Sequence, residues 1–245
     1  MKNTPSVEEL ACYLLPAKDR FCQADYLKHY EQGFQFWFTY LKQALEEEHN
    51  ETIAKTLSSD MFVECDESVL FFHNQEPIGL FMFRWLNIQF KPNQLLSAVK
   101  TRFPANLLTK LQQENISKIM IMSNLIVHPD WRRNKVGVGI SDLLVKCAII
   151  RFLESDAHVL LTTTRNNRST NTLGCRQGGT KYADNDKIFG VPSDILLFYR
   201  DKVIPHPDHD INVIAETLWA NKKMGWIPMP LNFIGRSHEE NAITS

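Results

Sequence analysis

The chain has 245 residues, 44% of them hydrophobic and 22% charged, enough to bury the core of one large globular domain. Its formal net charge of −1 supplies no general attraction to nucleic acid or an anionic membrane, so neither is expected as a partner. The five cysteines, Cys12, Cys22, Cys65, Cys147 and Cys175, are odd in number and form no C-x-x-C pair, which argues against a zinc ribbon and a disulfide framework.

In chain order, residues 1–24 read as a loosely structured lead-in. Glu8 and Glu9 stand where a secretory leader would be apolar, and no run approaches the ~20 apolar residues of a membrane span. A cytoplasmic, reducing location is therefore expected. Over 25–48, Leu27, Tyr30, Phe34, Trp37, Leu41 and Leu45 recur at spacings of three and four. This predicts an amphipathic helix, capped by Asp25, whose aromatic stripe faces the core. The run Glu46 to Glu48 ends it against the preference of the helix dipole. Residues 61–65 read as a strand. Segments 68–72 and 78–85 flank a short polar break and predict a β-hairpin. Residues 91–115 read as mainly helical, with Pro104 breaking the run at about Phe103. Residues 118–127 form a long strand. A helix over 137–153 places Ile140, Leu144, Cys147, Ala148 and Phe152 on one face. The β-branched segment 158–164 is a further strand. A short helix over 168–176 ends near Gly178 and Gly179, 195–199 is a last strand, and 211–222 is a helix. The tail from Pro228 reads as irregular.

No repeat, low-complexity block or Pro/Gly/Ser-rich linker divides the chain. One domain is expected, and the order of elements predicts an α/β fold with a mixed sheet. The strand–helix–strand step over 118–164 is expected to be a right-handed parallel crossover.

The segment 125–144, LIVHPDWRRNKVGVGISDLL, carries the most chemistry. A strand runs into a Pro-Asp turn, then Arg132, Arg133 and Lys135, then Gly137 and Gly139, then a helix. The first amides of a helix have no acceptor within it and carry partial positive charge, which suits a phosphate. Glycine removes the Cβ that would hold a pyrophosphate away from the backbone. A bound diphosphate cofactor is expected here.

With these residues in place, the chain resembles the GNAT superfamily of N-acyltransferases, whose signature V-x-P-x-x-R-x-x-G-x-G/A joins the fourth strand to the third helix. Val127, Pro129 and Arg132 fall on its V, P and R, and Gly137 on its final Gly/Ala, while Lys135 stands where a glycine is usual. A second register places Asn134 at the Arg position and keeps Gly137 and Gly139 as the glycine pair. A further match begins at Asn167, in NRSTNTLGCRQGGT, against N-x-x-A-x-x-L-Y-x-x-x-G-F. Leu173 falls on the Leu and Gly178 on the Gly. The family's tyrosine, which often protonates the leaving thiolate, falls on Gly174, and its phenylalanine on Gly179.

The resemblance implies an α/β fold: a GNAT-like mixed, mostly antiparallel central sheet with flanking helices and a parallel strand–helix–strand CoA-binding unit. It implies a GNAT-like domain over 25–205, with a C-terminal helix and tail (206–245) packed on it. The implied activity is acyl-CoA-dependent N-acyl transfer, with acetyl-CoA as the expected donor and a small-molecule or peptide amine as acceptor, in a ternary complex. Acyl-CoA would be held by Leu125, Ile126, Val127, Arg132, Arg133, Asn134, Lys135, Val136, Gly137 and Val138. Asn167 would bond the pantetheine arm, cap its helix, or do both. The thioester carbonyl would meet a main-chain amide near 125–127.

The catalytic groups are less legible. The strand 118–127 holds no carboxylate; Ser123 and Asn124 could position a water. Cys175 beside the missing tyrosine could donate a proton, although a buried free thiol is the plainer reading. Glu64, Asp66, His73 and His128 are distant candidates for a base and read as surface or turn residues. His206 and His209 lie three apart near acids, yet the intervening proline and the lack of a third cluster point to a polar loop, so no metal is expected. Two other readings stand beside an acetyltransferase: a noncatalytic acyl-CoA-binding module, and an enzyme taking longer acyl groups from CoA or acyl carrier protein. The tail SHEENAITS resembles those of secreted bacterial effectors, an alternative to the cytoplasm. Nothing in the sequence sets the oligomeric state.

Overall fold

The computed structural model describes residues 9–18, 21–100, 102–132, 139–188 and 191–225, without side chains at 98 and 183–188. Its centre is an eight-stranded sheet of β1 (Leu10–Pro16), β2 (Glu67–His73), β3 (Glu76–Asn87), β4 (Lys118–Val127), β5 (Val159–Arg165), β6 (Thr180–Ile188), β7 (Val191–Tyr199) and β8 (Lys223–Met224). The spatial order is β6-β7-β5-β4-β3-β2-β1-β8. Pairs β4–β5 and β1–β8 are parallel and the others antiparallel. The helices are α1 (Leu27–Glu47), α2 (Glu51–Lys55), α3 (Asp60–Val63), α4 (Lys91–Gln94), α5 (Ser97–Lys100), α6 (Ala105–Gln113), α7 (Ile140–Glu154), α8 (Thr170–Cys175) and α9 (His209–Ala220).

Alternation along the strands assigns each helix its face. Phe81, Phe83 and Trp85 of β3 join Met120 and Met122 of β4 beneath α7, which α9 covers from outside. α7 is therefore buried nearly all round, and Gly79 lets its Leu144 approach β3. On the opposite face, α1 lays Phe36, Trp37, Leu41 and Leu45 on Leu70, Phe72, Leu80 and Met82. Beside it, α6 covers Ile119 and Ile121 with Leu107 and Leu111. A cleft is left on this face between α1 and the 91–115 segment. On the α7 face, Arg151 grips Glu67 through two bonds of 2.8 and 2.6 Å, both side chains buried, and lies over the Trp85 ring.

The fold is the expected mixed, mostly antiparallel sheet with flanking helices, and the hairpin, the long strand and the main helices lie within a few residues of their expected bounds. Four details differ. Residues 10–16 are not a loose lead-in but a buried strand, because LACYLLP offers apolar side chains to both faces of the sheet. The strand expected at 61–65 is a single helical turn, which lets Phe62 drop under α1 against Trp37. Asp25 lies in a 3-10 turn before α1 and does not cap it. β6 and β8 went unread: the first is mostly polar and the second is two residues long. The expected irregular tail from Pro228 lies outside the described residues.

Candidate active site

β4 and β5 begin as a parallel ladder, Ile119 to Met122 against Val159 to Thr162, and then part. The cause lies on the other side of β4. Leu80 pairs with Ile126 but Met82 with Ser123, so β4 carries one extra residue, and Asn124 takes a left-handed φ of 56° at that bulge. Beyond it, residues 123–127 turn from buried to half-buried. A cavity of about 610 Å³ opens between the parted strands. A smaller void of about 40 Å³ at the vertex touches Met122, Ser123, Thr162 and Gly174.

The cavity has two distinct ends. At one, α7 presents its first turn: Gly139 is its N-cap, with no side-chain cap, and Ile140 and Ser141 line the wall. Arg132 and Arg176, both exposed, flank that turn, and neither side chain has a hydrogen bond or ion pair among the described residues. Asp142, also in the first turn, meets the equally buried His206 with Oδ1 at 3.0 Å and keeps Oδ2 against Gly139. At the other end, on the opposite face of the sheet, Tyr40, Leu41, Ala44 and Glu47 of α1 face Ser123, Asn124 and Arg102. One wall is latched: Arg165 donates to Glu48 at 2.6 Å and Arg168 to Glu47 at 2.9 Å.

Few acidic side chains line the cavity among the described residues. Glu47 and Asp142 are its lining carboxylates among the described residues, and each is already engaged. Tyr40 is the lining phenol. Burial and the charge of Asp130 push its pKa above the ordinary value, and its ring meets that of His128 edge-on at 5.2 Å. His128 accepts from the Asp130 amide, a turn contact.

Of the residues singled out in the sequence, Leu125, Ile126, Val127, Asn124 and Arg132 line this cavity. Arg133, Asn134, Lys135, Val136, Gly137 and Val138 lie outside the described residues. Two candidates sit elsewhere. Asn167 is exposed in the turn after β5 and does not line the cavity; its neighbour Asn166 and Asn171 instead donate to the buried Asp194, which also pairs with Lys181. Cys175 is exposed rather than buried and also stands outside the lining, because the C-terminal end of α8 points to solvent. A Cβ on Gly174 would sit 2.5 Å from Leu196 Cδ1, so this position faces β7 and not the cavity. Of the distant candidates, Glu64 pairs with Arg84, His73 with Glu9, and Asp66 accepts from the Trp85 amide. Tyr40 and Arg102 went unread: the helical stripe had assigned neighbouring positions to the core, and nothing in the 91–115 segment marks which residue reaches β4.

No protein-family model matches the sequence, and no curated protein matches it by sequence. Solved structures do match by shape. FeeM, an N-acyl amino acid synthase from uncultured soil microbes, superposes with a TM-score of 0.53 at 13% identity, over 82% of this chain and 94% of its own. BjaI, a CoA-dependent acyl-homoserine lactone synthase solved with SAM and isopentyl-CoA, gives 0.55 at 12% identity, over 91% and 96%. A yellow fever mosquito protein assigned as arylalkylamine N-acetyltransferase 7 gives 0.55 at 17% identity, over 73% and 85%. With its bulged fourth strand parted from the fifth and a helix starting at the gap, the chain has the fold of the GNAT N-acyltransferases.

Proposed function

We propose that the protein is an acyl-CoA-dependent N-acyltransferase, with acetyl-CoA as donor and an amine on a small molecule or peptide as acceptor. The observation that carries this reading is the parting of β4 from β5 beside the uncapped start of α7. The residues present suit an acyl-CoA. The amides of α7's first turn, with Arg132 and Arg176, suit a diphosphate. The separated strand edges suit the extended, amide-bearing pantetheine arm, which can pair with them as a short strand would. The enzymes among the shape neighbours, FeeM, BjaI and the mosquito protein, are described as acyl-transferring, which agrees with this reading.

The chemistry then follows from position. The amine nitrogen attacks the thioester carbonyl carbon; a C–N bond forms and the C–S bond breaks. Amides of 123–127 left without a β5 partner stabilise the developing oxyanion. The nitrogen loses its proton to water, since neither lining carboxylate is free. Tyr40, held protonated by burial, gives its proton to the leaving sulfur and regains one from solvent. A thiol-release assay with acyl-CoAs of increasing chain length and an amine panel tests the proposal. CoA release that depends on amine is expected; none with any pair would overturn it.

A further inference from the structure

Arg102 is the feature this mechanism leaves unused. It sits in the turn between α5 and α6, where its amide donates to Val99 O at 3.3 Å and the following Phe103 is buried. Its side chain enters the cavity beside Ser123 and Asn124, on the sheet face opposite α7. Two guanidinium groups, Arg84 and Arg102, share this corner with the carboxylates of Glu64 and Asp66. Arg84 takes Glu64, with Nη2 3.0 Å from Oε2, and Asp66 accepts from the Trp85 amide. Among the described residues, the Arg102 side chain has no hydrogen bond and no ion pair. Burial is the main influence lowering its pKa; the nearby Arg84 charge acts in the same direction, and Cys65 and Glu64 act against it. Arginine nonetheless stays charged at any physiological pH. One positive charge is thus held in a half-closed cavity with no carboxylate in direct contact among the described residues, an arrangement that costs free energy unless a ligand supplies the anion.

Resting on the acyl-transfer reading, we infer that the acceptor is an amino acid, or another amine carrying one carboxylate, and that Arg102 binds that carboxylate. The planar guanidinium fork matches a carboxylate through two parallel bonds. The phosphates of the donor belong at the other end, where α7 begins and where Arg132 and Arg176 stand. The remaining cations on this side, Arg165 and Arg168, are already paired with Glu48 and Glu47. That leaves Arg102 as a lining cation on this side with no direct partner among the described residues, which suits one carboxylate on the acceptor.

The test uses matched pairs: tyrosine and tyramine, phenylalanine and phenethylamine, leucine and isoamylamine, arginine and agmatine. Each is assayed for thiol release from acetyl-CoA with wild type, Arg102→Gln and Arg102→Lys. The corresponding N-acetyl compounds are titrated calorimetrically, so that the site is read even without turnover. For the pair that fits the pocket, the carboxylated member is expected to show a KM and a Kd roughly ten- to hundredfold lower, the scale of a charge-assisted pair. Arg102→Gln is expected to abolish the difference, Arg102→Lys to keep part of it, and the KM for acetyl-CoA to stay unchanged in both. Equal binding of both members by wild type, or a preference that survives in Arg102→Gln, would overturn the carboxylate site. Carboxylate-dependent binding without any thiol release would uphold the site and count against acyl transfer.

Discussion

Arg165 at the end of β5 reaches across 117 residues of sequence to Glu48, just past the end of α1, with Nη1 2.6 Å from Oε1. The pair closes one wall of the cavity and explains an oddity of the sequence. A run of glutamates at a helix C-terminus opposes the helix dipole, yet Glu48 is met by Arg165 at the end of β5 and Glu47 by Arg168 in the turn after it. Burial lowers the Arg165 pKa while the Glu48 charge raises it. A double-mutant cycle of Glu48→Gln and Arg165→Gln is expected to show a coupling of about 1–3 kcal/mol by urea denaturation. Strict additivity would mean the latch does not couple the two elements.

The start of α7 offers a clean way to separate donor binding from stability. Ser141 is the second residue of the helix and lines the cavity. Glutamate there is compatible with the helix dipole but repels a diphosphate. Ser141→Glu is expected to keep or slightly raise the Tm of the free protein and to abolish its stabilisation by CoA. Wild type should gain about 2.7 kcal/mol at a CoA concentration of 100 times Kd. An unchanged CoA shift in the variant would remove the phosphates from this helix.

Tyr40→Phe removes the proposed proton donor and little else, since the ring can keep its edge contact with His128. A fall in kcat of about 10²- to 10⁴-fold, with the KM for acetyl-CoA unchanged, is expected for the loss of a general acid. The defect should shrink with acyl donors whose thiol leaving group has a lower pKa. A kcat equal to wild type would exclude the phenol.

Restoring the tyrosine of the GNAT pattern should fail. The position is Gly174, where even a Cβ meets Leu196 Cδ1 at 2.5 Å and Phe198 Cζ at 3.4 Å. Gly174→Tyr is expected to destabilise by roughly 3 kcal/mol or more through overpacking, at or above the usual range. It should add no activity. A variant as stable as wild type would show that α8 can move off β7.

The pH dependence of stability has a specific contributor in His29. Its pKa is lowered, first by burial and then by Lys223 and Lys28; its ring stacks on Tyr13 at 4.3 Å and its Nδ1 has no hydrogen-bond partner among the described residues. As pH falls below 6.5, the unfolded chain takes up this proton before the folded one. The stability present above 6.5 is then lost as pH falls through the folded-state value. In His29→Gln this part of the acid-side slope should disappear from urea titrations between pH 7.5 and 5; an unaltered slope would assign the effect elsewhere.

Sequence alone made legible what depends on long periodic runs: the hairpin, the strand over 118–127, α1 and α7. It misjudged short apolar runs. Residues 61–63 suit a helical turn as well as a strand, and burial of Phe62 under α1 decides between them. Residues whose contacts are set by a distant partner carry no such local signal. Asn167 fits the family pattern by spacing, but the buried Asp194, met by Asn166 and Asn171, fixes the turn so that Asn167 faces out. Arg102 has no local signal at all. Its meaning comes from Arg84 having already taken Glu64, a three-residue relationship that only the folded sheet creates.

The two ends of the cavity are drawn from separate stretches of the chain. The strands and helix suited to grip a thioester come from 118–165, whereas Tyr40 and Arg102 come from α1 and from the 91–115 segment, which pack on the far face of the sheet. Such a division makes the scaffold modular. Replacing the far-face segments alone offers a route to redirect which nucleophile is accepted while the donor cradle is inherited intact.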